Sequence, residues 1–402
     1  MEERIQEAER TIAGLVRETP MLSAGELSRR LGARVLLKAE NLQITGAFKL
    51  RGASNKLARL GEQQLQAGVV AASAGNHAQA VALAARRRGA TATLCMPARA
   101  PLAKVAAVRE YGGEVRLVDG AYDDAGAAAA EVAASEGKTL VHPFDDLDVV
   151  AGQGTIGLEI ARQAPAVRVL VVPLGGGGLA TGAAIALKSR APGARVVGVQ
   201  SEACAPYAGA QRPERSPATI CDGIAVKRPG ELTAPLVERW VDEVVTVSDD
   251  EVAQAMVLLL ERSKLVVEGA GAAAVAALMH DKVAAPAEGD VCAVLSGGNV
   301  DAGLLAECIR LGETAAGRRI VLGTVVPDRP GALAGLLGLI AAQGANVVDV
   351  EHLRDGMDLH VRETAVQLVL ETRGPSHGSE IVAAVEAEGF RVRVQRQPAA
   401  GG

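Results

Sequence analysis

The sequence predicts an α/β protein with a parallel sheet, followed by a smaller α+β module. Through the first three quarters of the chain, short β-branched runs alternate with longer alanine-rich helical patterns. The runs are almost continuously apolar, which is typical of strands covered on both faces by helices. After about residue 318 the order of elements becomes strand-helix-strand-strand-helix-strand, the split βαβ arrangement.

Five strands carry the prediction of a parallel sheet. The first, Val69–Ala72, leads into a helix that begins near Asn76. The others span residues 91–96, 167–172, 195–199 and 291–295. Because ligands bind at the carboxyl ends of the strands in such sheets, we expect the chemistry in the segments that follow these strands.

A stretch of small and polar residues, 312–317, is predicted to link two domains. It separates a catalytic region, residues 1–311, from a module at residues 318–397. In the module we expect strands at 320–326, 347–353, 365–371 and 390–394, and helices at 332–343 and 380–388.

The composition argues against several classes of protein. Of the 402 residues 49% are apolar, and the formal net charge of −5 provides no electrostatic footprint for nucleic acid. The five cysteines are scattered without a CxxC pair, so we expect neither disulfides nor a zinc site. No apolar run is long enough to span a membrane, and the charged N-terminus does not resemble a signal peptide. We therefore expect a cytoplasmic protein that binds neither nucleic acid nor membrane.

Lys49 has unusual neighbours for a lysine. Phe48 is one of only three phenylalanines, and Gly46 and Gly52 leave room for close approach. A lysine among apolar and small residues loses its proton more easily, as an amine must before it forms a Schiff base. The alternative is an ordinary solvated lysine, and the spacing alone does not exclude it.

Ser73–Gln79 follows a strand and opens a helix. The free N–H groups and the dipole of a helix N-terminus suit a carboxylate. The alternatives are an ordinary N-cap formed by Ser73 or Asn76, and a core histidine at His77.

Four consecutive glycines, 175–178, follow the strand at 167–172. Their exposed amides suit a phosphate group, whereas the alternatives are a flexible turn and a dinucleotide-binding loop. This loop is not laid out as a GxGxxG motif with a later acidic ribose ligand, so we favour an isolated phosphate. Ser296 ends the last strand of the catalytic region, where it either caps a turn or offers its hydroxyl to a ring nitrogen.

Taken together, six segments resemble the fold-type II pyridoxal-phosphate enzymes, and most closely the threonine dehydratases (threonine ammonia-lyases). The segments are residues 40–53, Ser73–Gln79, Pro173–Leu179, Asp222–Val226, Glu268–Gly271 and Ser296–Asn299. The resemblance spans residues 5–311 in the order of the family. It implies pyridoxal 5'-phosphate as cofactor and a two-domain fold like that of tryptophan synthase β. In that fold a small subdomain, about residues 41–145, is inserted into a larger one.

The resemblance also implies a role for each segment. Lys49 would bind the cofactor through its amine and then remove the α-proton of the substrate, with Phe48 packed beside the ring. Asn76 would bind the ring hydroxyl, and Ser296 would face the ring nitrogen. The phosphate would be bound by Gly175, Gly176, Gly177, Gly178 and Leu179. The substrate carboxylate would be bound by Ser73, Ala74, Gly75, Asn76 and His77.

The implied reaction is the conversion of L-threonine to 2-oxobutanoate and ammonia, with L-serine giving pyruvate. A serine at the ring nitrogen leaves the ring neutral, which favours loss of the β-hydroxyl over transamination. Serine or 3-hydroxyaspartate as the main substrate are alternatives, and 3-hydroxyaspartate would need a cation near its β-carbon that the sequence does not locate. A non-catalytic amino-acid sensor would require Lys49 to be unmodified, and an oxidoreductase would require the glycine loop to bind a dinucleotide.

The sequence departs from the family's pattern at three places. Ala74 stands where serine racemases of the family have a second serine, so racemisation lacks its acid/base partner. Metal-dependent members have acidic residues after the position of Ser201, but after Glu202 the residues 203–208 contain no carboxylate, so we expect no metal site. The small polar residue that usually precedes the Phe-Lys pair is Ala47 here.

Asp328–Leu333 follows the first strand of the C-terminal module and opens a helix. One interpretation is a proline-glycine turn that starts a helix. With the βαββαβ order, residues 318–397 resemble an ACT domain, a fold that often binds amino acids at a dimer interface. The resemblance implies Asp328, Gly331 and Asn346 as ligand residues, isoleucine or valine as effector, and a homodimer or homotetramer.

Overall fold

The computed structural model describes residues 1–209, 218–353 and 359–394. The chain folds into two compact units, Met1–Ala302 and Gly303–Gly402. A helix, Ala302–Ala315, covers most of the linker predicted at 312–317, so the boundary falls earlier than expected. The physical reason is that the alanine and glutamate of this stretch are good helix formers.

The strands of the described residues alternate with helices over most of the first unit. In chain order the strands are β1 (Met21–Ser23), β2 (Val35–Ala39), β3 (Val69–Ala72), β4 (Ala92–Pro97), β5 (Glu114–Val118), β6 (Thr139–Leu140), β7 (Val167–Pro173), β8 (Arg195–Ser201), β9 (Glu243–Val247), β10 (Asp290–Leu295), β11 (Arg319–Pro327), β12 (Asn346–Leu353), β13 (Glu363–Glu371) and β14 (Arg393–Val394). The five strands predicted in the catalytic region are all present within two residues of their predicted ends.

Short 3₁₀ segments occur at Glu40–Leu42 and Asp222–Ile224, and a π-helical turn occurs at Leu259–Ser263. The remaining helical elements are α-helices. In chain order they are α1 (Glu2–Ile12), α2 (Gly25–Leu31), α3 (Lys49–Ala58), α4 (Glu62–Ala67), α5 (Asn76–Arg87), α6 (Leu102–Glu110), α7 (Tyr122–Glu136), α8 (Leu147–Gln163), α9 (Gly178–Arg190), α10 (Thr233–Trp240), α11 (Asp249–Leu258), α12 (Gly269–Met279), α13 (Ala302–Ala315), α14 (Ala332–Ala342) and α15 (Pro375–Ala387). Within the described parts of the chain, no helix is both long and apolar enough to cross a membrane.

The first unit contains two sheets. The larger has the order β1-β2-β10-β7-β8-β9, and all its neighbours are parallel except β1 and β2. The smaller has the order β5-β4-β3-β6 and is entirely parallel. The chain leaves the larger sheet after β2, builds the smaller sheet, and returns with β7, so the smaller sheet lies within residues 41–145.

The cores of both sheets are built mainly from valine, alanine and leucine. Strands β3, β7 and β10 are buried along almost their whole length. Each of the three ends at a motif singled out in the sequence: β3 before Ser73, β7 before Leu174, and β10 before Ser296. Burial on both faces fixes these strands, and so it also fixes the loops at their carboxyl ends.

The second unit has a four-stranded antiparallel sheet in the order β12-β13-β11-β14. With α14 and α15 it has the βαββαβ order predicted from the sequence. Its core is formed by apolar side chains of the sheet and both helices, among them Leu322, Leu336, Leu368 and Ile381. The last strand, β14, is shorter than the predicted 390–394, and residues 395–397 of the predicted domain lie outside the described residues.

Candidate active site

The carboxyl ends of strands from both sheets border one cavity of about 870 Å³. Every site residue predicted in the catalytic region lines it. They are Phe48, Lys49, Ser73, Ala74, Gly75, Asn76, His77, Gly175, Gly176, Gly177, Gly178, Leu179 and Ser296. Segments more than 200 residues apart in the sequence are therefore brought to one place, at the strand ends where ligands of parallel sheets bind.

Lys49 is the first residue of α3 and reaches the cavity with its amine. Its Nζ donates a hydrogen bond of 2.8 Å to the carbonyl oxygen of Pro143 and lies 5.1 Å from the centre of the Phe48 ring. Removal from bulk water lowers the pKa of Lys49 to about 8, although the nearby carboxylate of Glu268 acts in the opposite direction. A carbonyl compensates a buried cation poorly, so this amine loses its proton readily.

The glycine loop has a backbone that larger residues would not allow. Gly177 has φ of +95°, and a Cβ added at Gly176 would lie 2.2 Å from the ring of Phe144. Helix α9 begins at Gly178, the last glycine of the loop, so the amides of its first turn have no partner within the helix. The loop therefore presents N–H groups and a positive helix dipole to the cavity.

Asp145 and Thr233 stabilise the glycine loop through the start of α10. The carboxylate of Asp145 accepts hydrogen bonds from the backbone N–H groups of residues 231, 232 and 233 at 2.9–3.0 Å. The hydroxyl of Thr233 donates to the carbonyl oxygen of Gly176 at 2.6 Å. The start of α10 is thereby fixed, and it fixes the loop in turn.

Ser73–His77 also lines the cavity. The hydroxyl oxygen of Ser73 accepts from the backbone N–H of Gly75 at 3.0 Å, and α5 begins at Asn76. The His77 side chain is buried, and its Nε2 bonds to the carbonyl oxygen of Val141 at 2.8 Å. Burial lowers the pKa of His77 to about 3, so the ring is neutral and Nε2 donates. The ring of His77 therefore donates to a backbone carbonyl of the core, as expected for a core histidine.

Ser296 lies at the end of β10 and is buried. Its hydroxyl is 3.5 Å from the carbonyl oxygen of Ala270, at the outer limit of a hydrogen bond. A buried hydroxyl with such a weak partner is suited to donate to a ligand atom in the cavity.

Among the described residues, ten charged or titratable side chains to which the sequence assigned no role also line the cavity: Lys104, Tyr122, Asp123, His142, Asp145, Asp222, Lys227, Arg228, Glu231 and Glu268. Lys104 Nζ donates to Asp222 Oδ2 at 2.8 Å, and it would lie 3.5 Å from a Cβ added at Gly75. The Lys104 amine is thus a cation beside Gly75, within the segment predicted to bind the substrate carboxylate. The sequence had located no cation there. The available signal was that Asp222 and Glu268 each begin one of the recognised segments.

The candidate ligand residues of the second unit do not meet within one chain. Asp328 directly follows β11, and Gly331 caps α14 with φ of +88°. Asn346 is the first residue of β12 and pairs with Glu371 of β13. Glu371 also pairs with Arg319, the first residue of β11. Asn346 and Asp328 are therefore at opposite ends of β11, a separation on the order of 25 Å for a strand of this length.

In the described ranges, no three or more His, Cys, Asp or Glu side chains are grouped so that they could hold a metal ion. Glu202 is half exposed and its carboxylate lies 3.7 Å from the Lys282 amine.

The model of one protein family, described as pyridoxal-phosphate dependent enzyme, matches residues 12–297. The chain belongs to this family. The segment matched contains every cavity residue discussed above. Members of this family use pyridoxal phosphate as cofactor, and this chain is therefore a pyridoxal-phosphate-dependent enzyme.

Three proteins show how far the similarity extends. The L-threonine ammonia-lyase of Thermotoga maritima is 46% identical over 398 residues, covering 98% of each chain. The solved processed form of threonine deaminase isoform 2 from Solanum lycopersicum is 34% identical with a TM-score of 0.72, covering 78% of this chain and 88% of that one. The solved maize serine racemase is 36% identical with a TM-score of 0.72, covering 76% of this chain and 95% of that one. These likenesses place the chain among the ammonia-lyases of the family.

The cavity fits the cofactor of the family. The glycine loop offers backbone N–H groups to a phosphate and leaves no room there for a side chain. On the other side are an amine of lowered pKa at Lys49 and a weakly partnered hydroxyl at Ser296. The volume of about 870 Å³ accommodates a cofactor and a small substrate together.

Proposed function

We propose that this protein converts L-threonine to 2-oxobutanoate and ammonia, and L-serine to pyruvate and ammonia. The observation that carries the proposal is the amine of Lys49, which lines the same cavity as the glycine loop and Ser73–His77 and has the carbonyl oxygen of Pro143 as its hydrogen-bond acceptor. The relative from Thermotoga maritima, named L-threonine ammonia-lyase, supports threonine as substrate because its similarity covers the whole chain.

Some residues of the cavity would bind the cofactor, and others would bind the substrate. Bound pyridoxal phosphate supplies an electron sink that makes the α-hydrogen of an attached amino acid acidic. The amides of 175–179 would hold its phosphate, Asn76 its ring oxygen, and Ser296 its ring nitrogen by donating from a neutral hydroxyl. Ser73 and the amides of residues 74–77 would hold the substrate carboxylate.

Lys49 then removes the α-proton of the substrate. An amine with a pKa of about 8 accepts a proton near neutral pH and also releases it, as a general base must. Loss of the β-hydroxyl as water leaves an enamine, which hydrolyses to the 2-oxo acid and ammonia. Ala74 offers no acid or base to the opposite face, so we expect elimination rather than racemisation, although the maize serine racemase has a similar structure.

One observation favours a second substrate. Lys104 stands beside Gly75 at the carboxylate loop, where a second carboxylate such as that of 3-hydroxyaspartate would find a cation. The amine of Lys104 is already paired with Asp222 at 2.8 Å, so the cation is partly neutralised. We therefore rank 3-hydroxyaspartate below threonine.

For the second unit we propose an ACT-type regulatory domain that binds an amino acid, with isoleucine or valine as the effector. The βαββαβ order and the turn at Asp328 and Gly331, which opens α14, support this. Asn346 is too far from both to join them in one chain, so it would contribute only from a second copy in a homo-oligomer.

The test is to follow 2-oxo acid release from L-threonine, L-serine and 3-hydroxyaspartate, and to compare the visible absorbance of the wild type with that of Lys49→Ala. We expect threonine to react fastest, and we expect the variant to lose at least about 10³-fold in turnover. A Lys49→Ala protein that keeps its turnover would show that the assignment is wrong. Turnover of 3-hydroxyaspartate that is faster than turnover of threonine would show that 3-hydroxyaspartate is the main substrate.

A further inference from the structure

Glu268 is a buried carboxylate in the cavity for which the proposed function has no role. It lies directly before α12 and is 5% exposed, and its Oε1 accepts a hydrogen bond of 2.6 Å from the Asn76 side-chain nitrogen. A Cβ added at Gly297 would lie 2.2 Å from the same oxygen, so the neighbouring segment leaves space for this carboxylate and for little else. Burial of a charged carboxylate costs free energy, so we expect Glu268 to have a function that offsets this cost.

The amide of Asn76 has its orientation fixed from two sides. Its Oδ1 accepts from the side-chain nitrogen of Asn299 at 2.7 Å, and its Nδ2 donates to Glu268. An amide nitrogen has two hydrogens, and Glu268 takes one of them. The second hydrogen is available to the cavity, where Asn76 is one of the lining residues. Glu268 and Asn299 together thus determine that Asn76 offers a donor rather than an acceptor to a ligand.

The charges around Glu268 come from several elements. Burial and the carboxylate of Asp222 raise the pKa of Glu268 to about 7, while the cation of Lys104, the hydrogen bond from Asn76 and the amine of Lys49 oppose the rise. Cys221 also faces this carboxylate, but burial raises the pKa of its thiol to about 12, so it stays neutral. Near pH 8 Glu268 is therefore mostly ionised, and its charge favours the protonated amine of Lys49.

We propose that Glu268 is a positioning residue of this site, which directs an N–H of Asn76 into the cavity and biases the Lys49 amine toward its protonated form. The inference rests on the proposed function, since it assumes that Lys49 and Asn76 hold the cofactor. It adds a residue that acts through these two, and it predicts two separable effects, one of charge and one of hydrogen bonding.

The effect of charge is tested with the full chain freed of cofactor, by measuring the rate of pyridoxal phosphate capture against pH. Only the neutral amine captures the aldehyde, so the midpoint of the profile reports the Lys49 amine. Glu268→Gln removes the charge, and we expect the midpoint to fall by about one pH unit. Glu268→Asp keeps the charge and should restore a midpoint near that of the wild type. Glu62→Gln, at an exposed position of α4, is the matched control and should change nothing.

The effect of hydrogen bonding is tested by measuring the dissociation constant of pyridoxal phosphate for the same proteins. Glutamine can still accept from Asn76, whereas Glu268→Ala removes the acceptor. We expect about tenfold weaker binding for the alanine variant and a change below about threefold for the glutamine variant. Equal weakening in both would overturn the orienting role.

The outcomes separate this inference from the function on which it rests. An unchanged or higher midpoint in Glu268→Gln would overturn the inference while leaving the function intact, provided that Lys49→Ala captures no cofactor. If Lys49→Ala captures the cofactor as the wild type does, the proposed site itself is wrong. A fall of the midpoint in Glu268→Gln with rescue by Glu268→Asp supports the inference, because a merely structural role would not follow the charge.

Discussion

Lys49 and Arg51 lie two residues apart on α3, and both are cations removed from bulk water, yet their environments differ. The guanidinium of Arg51 is fully buried and donates to two carboxylates, Glu40 at 2.8 Å and Glu159 at 2.6 Å. Lys38 also donates to Glu159, so two cations face two anions in this cluster. Lys49, which points to another side of the helix, has the carbonyl of Pro143 instead.

The difference shows in the direction of the pKa shifts. Burial opposes the charge of Arg51, but the two carboxylates outweigh it, so its pKa is raised and that of Glu40 is lowered. At Lys49 burial dominates and the pKa falls to about 8. Compensated burial makes a charge permanent and structural, whereas uncompensated burial makes it titratable near neutral pH and available for chemistry.

The two cations should therefore contribute very differently to stability, and this is the largest effect expected on the fold. Arg51→Met leaves two buried carboxylates with one cation, and we expect the free energy of unfolding to fall by about 3–5 kcal/mol. Lys49→Met removes a cation that is poorly compensated, so we expect a loss below about 1 kcal/mol. Urea titrations of the two variants without cofactor measure this directly. Equal losses would show that the two sites do not differ as described.

A smaller effect is expected at the glycine loop, where space rather than charge is the constraint. In Gly176→Ala the new Cβ would meet the Phe144 ring at 2.2 Å, so the loop must shift. We expect pyridoxal phosphate to bind about 10- to 100-fold more weakly, which corresponds to about 1.4–2.8 kcal/mol.

The control for this variant is Gly335→Ala, because a Cβ added at Gly335 meets nothing within 4 Å. Alanine inside a helix should leave cofactor binding unchanged and should stabilise α14 slightly. Spectroscopic titration with the cofactor measures both proteins. If Gly176→Ala binds as tightly as the control, the loop does not form the cradle.

The smallest effect on basal turnover is expected from deleting residues 318–402. Every residue that lines the cavity lies in the first unit, so the environment of Lys49 should stay as it is. We expect turnover of threonine to be retained and any response to isoleucine or valine to be lost. A truncated protein that responds as the full chain does would refute the regulatory role.

The parts of the fold that the sequence predicts are those with a local signal. Continuous apolar runs located β3, β7 and β10, and the glycines after β7 identified the loop. The helix through 312–315 was missed because its residues are small and polar, although Glu313 and Ala315 favour helix.

The candidate site was only partly predictable, because its electrostatics depend on contacts between distant segments. Asn76 and Glu268 are 192 positions apart in the chain, and Lys104 and Asp222 are 118 apart. No local pattern reveals that these groups meet, or that the His77 ring points into the core toward Val141. Recognition of the motifs identified the segments, but only the structure gives the partner of each charge.

In the proposed site Lys49, and no other lysine, holds the cofactor. The most direct measurement is to treat the cofactor-loaded protein with borohydride, which fixes the cofactor to its lysine, and to locate the modified residue by peptide mass spectrometry. We predict that the added mass is on the peptide containing Lys49. Its presence on a different lysine, or on none, would contradict the account.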